Sequence, residues 1–300
     1  MTTPVPFYTV NAFAPTPRAG NQAAVVIFPA GDPRAVDDEY YRALSADFNL
    51  AETAFLVPKD TEAKVPRYGL RWFTPEVEVP LCGHATLAAA TVLFHLHPNA
   101  DEVEFETRWR GSLTARALER GKATRVAISL PLPTELGPAT EREEADARAA
   151  LKSSSGVGEV VRVAHFEFGA IVEVPSSVDI EALKVDTTKL LPAYPNLFII
   201  TQVSGSSGSG AVINSRVFAP GLGIPEDPVT GAAHAALTAY YLGDGSGKPS
   251  IKAVKEGATE LDARQLSKRG GGMTCELVDG RAQLTGLGWR TAKGELEVLP

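Results

Sequence analysis

The sequence predicts an α/β chain of two similar halves, and three observations carry that reading. One pattern occurs twice: Arg71-Trp72-Phe73-Thr74-Pro75 returns about half a chain later as Arg216-Val217-Phe218-Ala219-Pro220. Downstream, Pro80-Leu81-Cys82-Gly83 returns as Pro228-Val229-Thr230-Gly231, with three extra residues between the two landmarks. Each copy then leads into a helix that is apolar nearly all round, Leu87 to Leu96 in the first and Ala232 to Leu242 in the second. A helix with no polar face is buried. A dozen residues at ~1.5 Å each reach only about 18 Å, too short for a bilayer. The rest of the chain is short Val-, Ile- and Phe-rich segments punctuated by Gly and Pro, the pattern of strands. Two copies are too few for a solenoid. The expectation is two lobes facing each other.

In chain order, Phe7 to Phe13 reads as a strand stopped by Pro15 and Pro17. Arg18 to Gln22 is a turn and Ala23 to Phe28 a second strand. Asp37 to Phe48 has helical spacing, with Tyr40, Leu44 and Phe48 on one stripe and acidic residues in its first turn; Asn49 closes it. Leu50 to Val57 is a strand whose Leu50, Glu52, Ala54 and Leu56 share a face, so a carboxylate sits on an apolar surface. Tyr68 to Phe73 is the strand that opens the first repeat. Val103 to Phe105, Gly111 to Leu118 and Arg125 to Leu130 follow as strands, and Pro131-Leu132-Pro133 marks a lobe boundary. The lobes are therefore 1–130 and 131–289. Glu141 to Leu151 is a charged surface helix and Lys152 to Gly158 a Ser/Gly loop. Val160 to Val174 gives strands, Ile180 to Leu183 a short helix and Leu197 to Thr201 a strand. The run Ser204 to Gly210 has linker composition and reads as a mobile hairpin tip. After the second repeat, whose helix stops at Gly243, strands are expected at Met273 to Leu277, Ala282 to Leu287 and Glu295 to Leu299.

Composition bounds the function classes. With 300 residues, 44% apolar and 22% charged, the chain has ample material for a core. A net charge of −7 argues against nucleic acid as a partner. The segment MTTPVPFYTV lacks a basic stretch followed by a long apolar run, and no window approaches a membrane span. Two cysteines, Cys82 and Cys275, make no disulfide framework. A cytoplasmic chain with no membrane partner is expected.

The candidate chemistry is acid/base. Glu52 on an apolar face has a desolvated charged form, suited to proton transfer, or else is an edge charge that discourages aggregation. His84 lies in the first turn of a buried helix beside Gly83, where unpaired N–H groups suit an anion; otherwise it is a satisfied core histidine. Cys82 at the same helix start is either an activated thiol or a small buried hydrophobe. Asp227, four residues before Gly231, is a polar site group or a turn-forming residue of Glu226-Asp227-Pro228. His234 can equally be packing inside the second helix. The repeat sets Thr230 against Cys82, so a racemase using one cysteine from each half is excluded. Nucleotide, P-loop, zinc-protease and nucleophile-elbow motifs are absent, and the five histidines show no metal-ligand spacing. No cofactor and no metal are expected.

Six segments resemble the phenazine-biosynthesis (PhzF-like) family of the diaminopimelate epimerase superfamily: Val10 to Phe13, Gly20-Asn21-Gln22, Asn49 to Phe55, Arg71 to Leu87, Phe218 to His234 and Arg264 to Gly270. They span almost the whole chain in the family's order. The resemblance implies two similar lobes, each a curved mixed sheet around a central helix, with the active cleft between them. It also implies a final strand, about 290–300, returning to the first lobe, and a homodimer. The implied activity is a cofactor-independent isomerase that moves a proton on a small carboxylic acid. Glu52 would shuttle the proton, with His84 and Asp227 as polar helpers. Substrate binding falls on Asn21, Cys82, Gly83, Thr230, Gly231 and Ala232. Three positions depart from the pattern: Ala232 stands where serine is frequent, Asn11 where aspartate is, and Gln22 where proline is. A catalytically weak binding module, or a lyase or cyclase outcome of the same proton abstraction, are the alternatives.

Overall fold

Strands dominate the chain in the computed structural model, which describes residues 4–194, 196–208, 210–243 and 258–297. The first elements are β1 (Val5–Ala12), β2 (Asn21–Ile27), α1 (Asp38–Phe48), β3 (Glu52–Asp60), β4 (Arg67–Phe73) and β5 (Glu78–Val79). They are followed by α2 (Gly83–Leu96), β6 (Glu102–Thr107), β7 (Ser112–Arg120) and β8 (Thr124–Pro131). Next come β9 (Leu136–Pro138), α3 (Glu141–Ser155), β10 (Arg162–Phe166), β11 (Gly169–Glu173), β12 (Leu197–Ser207) and β13 (Gly210–Ala219). The chain finishes with β14 (Ile224–Asp227), α4 (Gly231–Leu242), β15 (Glu260–Gln265), β16 (Gly271–Val278) and β17 (Arg281–Leu296). Contacts divide them into two units: Met1–Ser129 with Thr285–Pro300, and Leu130–Leu284. The fold is mixed α/β. Among the described residues no helix is long and apolar enough to cross a membrane.

In the first unit β1 lies between β17 and β2, and β2 runs parallel to β3. The ladder continues through β4, β6, β7 and β8, and a pairing of β8 with β17 closes the strands into a barrel. The 14-residue α2 packs against β1, β2, β3, β6 and β7. Leu87, Val92, Leu93 and Phe94 are buried along it, each contributing about 1.5–3 kcal/mol. Its threonines belong in so apolar a helix because their hydroxyls turn back onto carbonyls one turn earlier: Thr86 donates to Cys82 O (2.6 Å) and Thr91 to Leu87 O (2.8 Å). β17 passes so close to Thr91 that a Cβ on Gly288 would lie 2.0 Å from its hydroxyl, so only glycine fits. On another side of these strands α1, capped by Asp37 and ended by Asn49 in the left-handed region, lays Tyr41 on Phe55 with ring centroids 4.1 Å apart.

In the second unit β9, β10, β11, β12, β13, β15 and β16 pair in that order, with the short β14 folded back on β13. α4 packs against β9, β15 and β16. α3 covers a core of Leu151, Val163, Val172, Phe198 and Phe218.

Several boundaries differ from expectation. α3 runs on through Ser155, because Ser153, Ser154 and Ser155 turn their hydroxyls onto the carbonyls of Ala150 and Leu151 in place of looping out. Gly156, at φ 81°, ends it. Ile180 to Leu183 is a turn, not a helix; the Ile180 and Leu183 carbonyls point at the Arg216 guanidinium, at 3.1 and 2.6 Å. The Ser204–Gly210 run belongs largely to the hairpin ladder, since β12 reaches Ser207 and β13 resumes at Gly210. The separate strands expected at Ala282–Leu287 and Glu295–Leu299 are one strand through Leu296; residues 298–300 lie outside the described residues.

Candidate active site

Three elements of the first unit converge on one cluster: Asn21 opens β2, Glu52 opens β3 and Cys82-Gly83-His84 opens α2. The turn before β2 is held by Gly20, whose φ of 75° and closeness to Ala12 O (2.3 Å from a built Cβ) exclude a side chain. Asn11, buried in β1, donates to Pro17 O at 2.7 Å and braces the same turn. The sequence placed Glu52 within a longer alternating strand from Leu50. Leu50 is in fact outside β3, and residues 53–56 are buried on both faces. Glu52 stands out as the strand's first residue, its side chain 12% exposed.

His84 is the centre of the cluster. Its Nε2 is 3.0 Å from Glu52 Oε2, and its Nδ1 is 3.2 Å from Asn21 Nδ2 and 3.4 Å from Cys82 Sγ. With the Asn21 amide presenting its nitrogen to Nδ1, a neutral ring carries its proton on Nε2, towards Glu52. The Nε2–Oε2 approach is off the hydrogen-bond axis, so Oε2 is buried without a hydrogen-bond partner among the described residues. Burial works against a charged His84, but Cys82 and Glu52 outweigh it and hold the ring well above its usual pKa. Burial, then the Glu52 charge, push the Cys82 thiol up despite His84. Cys82 makes no side-chain cap to α2; of its two readings, activated thiol or small buried hydrophobe, the buried and raised thiol fits the second, since loss of water outweighs the helix dipole.

The corresponding residues of the second unit build a hydrogen-bonded clamp. Asp227 ends β14 and is buried; its Oδ2 accepts from the Thr230 hydroxyl at 2.5 Å. Thr230 precedes α4, and its backbone N–H donates to Gln265 Oε1 at 2.8 Å. Gln265 Nε2 in turn donates to Asp227 O at 2.6 Å, and the Ser267 hydroxyl donates to Pro228 O at 2.7 Å. Gly231 and the partly exposed Ala232 form the first turn of α4. His234 is packing: fully buried, it donates from Nδ1 to Thr230 O at 2.8 Å, and burial brings it down to about 4, so it stays neutral.

Asn21, Glu52, Cys82, Gly83 and His84 thus come together in one unit, while Asp227, Thr230, Gly231 and Ala232 come together in the other. Sequence reading missed Gln265 and Ser267. The signal was present: in β15 Leu261, Ala263 and Gln265 alternate onto one buried face, a polar group among apolar ones as at Glu52. The sequence also gave no metal-ligand spacing, yet Glu52, Cys82 and His84 place a carboxylate, a sulfur and a ring nitrogen all within 4.8 Å of one another.

Comparison with known proteins gives the family of the chain. The family model described as phenazine biosynthesis-like protein matches residues 10–287. The chain belongs to that family. A mouse phenazine biosynthesis-like domain-containing protein 1 is 35% identical over 298 residues, covering 94% of this chain and 95% of the relative. A Pseudomonas aeruginosa protein named as an uncharacterised isomerase is 32% identical over 295 residues, covering 97% of this chain and 98% of its own. The crystal structure of a PhzF family protein from Enterococcus faecalis aligns with a TM-score of 0.73 at 30% identity, over 99% of this chain and all of the other.

Proposed function

We propose that the chain is a cofactor-independent isomerase that moves a proton on a small, conjugated carboxylic acid. The observation that carries this reading is the Glu52–His84 pair: a carboxylate oxygen, buried and without a hydrogen bond, 3.0 Å from an imidazole whose proton affinity is raised. A carboxylate in that state is a competent base for a carbon acid, and its conjugate acid can return the proton to a second carbon of the same substrate. Positioned acid/base groups of this kind supply about 10²–10⁴-fold. The charged His84 ring stabilises the anion that forms between the two transfers, and the Asn21 amide orients the ring. The first-turn N–H groups at Gly83 and Gly231 suit a substrate carboxylate, because helix starts present unpaired donors and a positive dipole end. Asp227 takes the second polar role. Relatives named as isomerases support the reaction class.

Ala232 narrows the substrate. A methyl group in place of a hydroxyl in the first turn of α4 removes a donor, so the acid bound here needs one polar contact fewer at that point. The test is solvent-deuterium incorporation into a panel of conjugated carboxylic acids, in chelator-treated buffer. Wild type should exchange at least one of them, Glu52→Gln should slow exchange by about 10²–10⁴-fold, and Asp227→Asn should slow it less. Unchanged exchange in Glu52→Gln would remove Glu52 from the mechanism. Binding of an acid with no exchange at all would favour a binding module instead.

A further inference from the structure

We infer that Glu52, Cys82 and His84 bind a thiophilic divalent cation of the zinc class. The donors are those of a zinc site: one thiol sulfur, one imidazole nitrogen and one carboxylate oxygen, all within 4.8 Å of one another. Zinc takes such atoms at about 2.3, 2.0–2.1 and 2.0–2.2 Å, in a tetrahedron with the fourth corner left to water or an exogenous group. Around one ion those bond lengths require donor separations of roughly 3.4–3.6 Å. The observed separations lie on either side: 3.0 Å from His84 Nε2 to Glu52 Oε2, and 4.0 Å from the same nitrogen to Cys82 Sγ. The two nitrogen separations each change by about 0.4 Å to reach those values, and the sulfur-to-carboxylate separation, within 4.8 Å, closes to about 3.6 Å.

A second, separate feature points into the same space. Glu52 Oε2 is buried with no hydrogen-bond partner among the described residues, although a ring nitrogen lies 3.0 Å away. A dication among the three atoms replaces the single positive charge of the raised His84 ring with two and gives the Glu52 oxygen a direct partner. The sulfur sets the selectivity, since thiolate ligands favour zinc over the hard ions magnesium and calcium. On binding, the thiol proton and the His84 Nε2 proton both leave to solvent, so that the sulfur ligates as thiolate and the ring as a neutral imidazole. With Nε2 on the metal, Nδ1–H needs an acceptor, and the Asn21 amide at 3.2 Å provides one through its oxygen after rotation. The ion occupies the carboxylate and the ring proposed for proton transfer, so it is an inhibitor of that reaction and not a participant in it.

Cobalt(II) titration of the full, chelator-stripped chain tests this without any substrate, because a cobalt–thiolate bond gives a charge-transfer absorption. One equivalent of Co²⁺ should produce that band, and Zn²⁺ should displace it. Cys82→Ser should abolish the band and weaken Zn²⁺ binding by more than the 10–100-fold typical of losing an outer partner. Cys275→Ser, at a buried cysteine in β16, should change neither. Glu52→Gln should keep the band but weaken Zn²⁺ at least about 10-fold, which covers the case in which Cys82→Ser does not fold. No band in wild type, a band surviving Cys82→Ser or lost in Cys275→Ser, or unaltered Zn²⁺ affinity in Glu52→Gln would each overturn the site. Proton exchange measured in chelator is a separate readout, so the ion site and the acid/base assignment fail independently.

Discussion

Cys82-Gly83-His84 and Thr230-Gly231-Ala232 occupy the same three places at the starts of α2 and α4, and the backbone before them is built alike. Arg71 forks Glu78 through Nε at 2.7 Å and lies over Phe73, its guanidinium carbon 5.1 Å from the ring centre. Arg216 forks Glu226 through Nε at 2.7 Å and lies over Phe218 at 5.2 Å. The repeated Arg-x-Phe is thus a bracket that fixes a short return strand just before each helix. Beyond the bracket the chemistry diverges. Thr53 faces Phe73 in register and Phe198 faces Phe218, so the place of Glu52 is taken by Leu197. One helix start has the trio Glu52, Cys82 and His84; the other has a hydrogen-bonded clamp of Asp227, Thr230 and Gln265. The same scaffold position carries three ionisable side chains at one helix start and a side-chain hydrogen-bond clamp at the other.

Breaking the brackets should show how far they are equivalent. Arg216 Nη1 also donates to the Ile180 and Leu183 carbonyls, and among the described residues no other guanidinium reaches Glu226. Glu78, in contrast, keeps Arg108 at 2.9 Å if Arg71 is lost. Arg216→Ala should therefore cost about 3–5 kcal/mol, the range for breaking a buried pair, and Arg71→Ala about 1–3 kcal/mol. Equal losses in urea unfolding would mean that the extra carbonyl bonds contribute nothing.

The two histidines should respond to pH with opposite signs. His234 is lowered to about 4 by burial, so the unfolded chain takes up a proton near 6.5 that the folded chain refuses until about 4. Its contribution is present above about 6.5 and lost as pH falls to about 4, by about 3 kcal/mol in total. His84 is raised, so its contribution is complete below about 6.5 and lost as pH rises through the raised value. Protection of α4 amides from hydrogen exchange, measured from pH 7 to 4, should weaken steadily, and His234→Gln should flatten that dependence. A slope that persists in the variant would assign it elsewhere.

Much of this was legible in the residues. The repeat, both buried helices and the polar interruption at Glu52 follow from spacing alone. Gln265 was hidden because its partners are backbone atoms of Thr230 and Asp227, 35 and 38 positions away, and no local pattern shows them. The Ser153–Ser155 turn was misread for a related reason: serine composition suggests a loop until its hydroxyls find carbonyls within the same helix. Cys82 had two readings, an activated thiol if accessible or a small buried hydrophobe; a helix start lowers a thiol pKa only where water still reaches it, and at 5% exposure the second holds.

Removing the clamp should cost less than removing a bracket. Gln265→Leu keeps the volume but leaves the Thr230 N–H and one lone pair of Asp227 O unpartnered by that side chain, for about 2 kcal/mol. Faster amide exchange at Thr230 is the specific readout, since loss of packing alone would not single out that group. Unaltered exchange at Thr230 would show that Gln265 merely fills space.

The smallest effect concerns the carbonyl that each helix start shares. Cys82 O accepts the Thr86 backbone N–H at 3.1 Å and the Thr86 hydroxyl at 2.6 Å; Thr230 O accepts the His234 backbone N–H at 3.1 Å and its Nδ1–H at 2.8 Å. His234 is therefore the counterpart of Thr86, not of His84, which is why its place in α4 is structural. Thr86→Val retains the shape and the backbone bond and loses only the second donor, so it should destabilise by about 1 kcal/mol. A loss above about 3 kcal/mol would mean that the hydroxyl holds Cys82 and His84 in place as well as satisfying a carbonyl. The His84 ring would then shift its proton resonances together with the stability, whereas a purely local bond leaves them where they are.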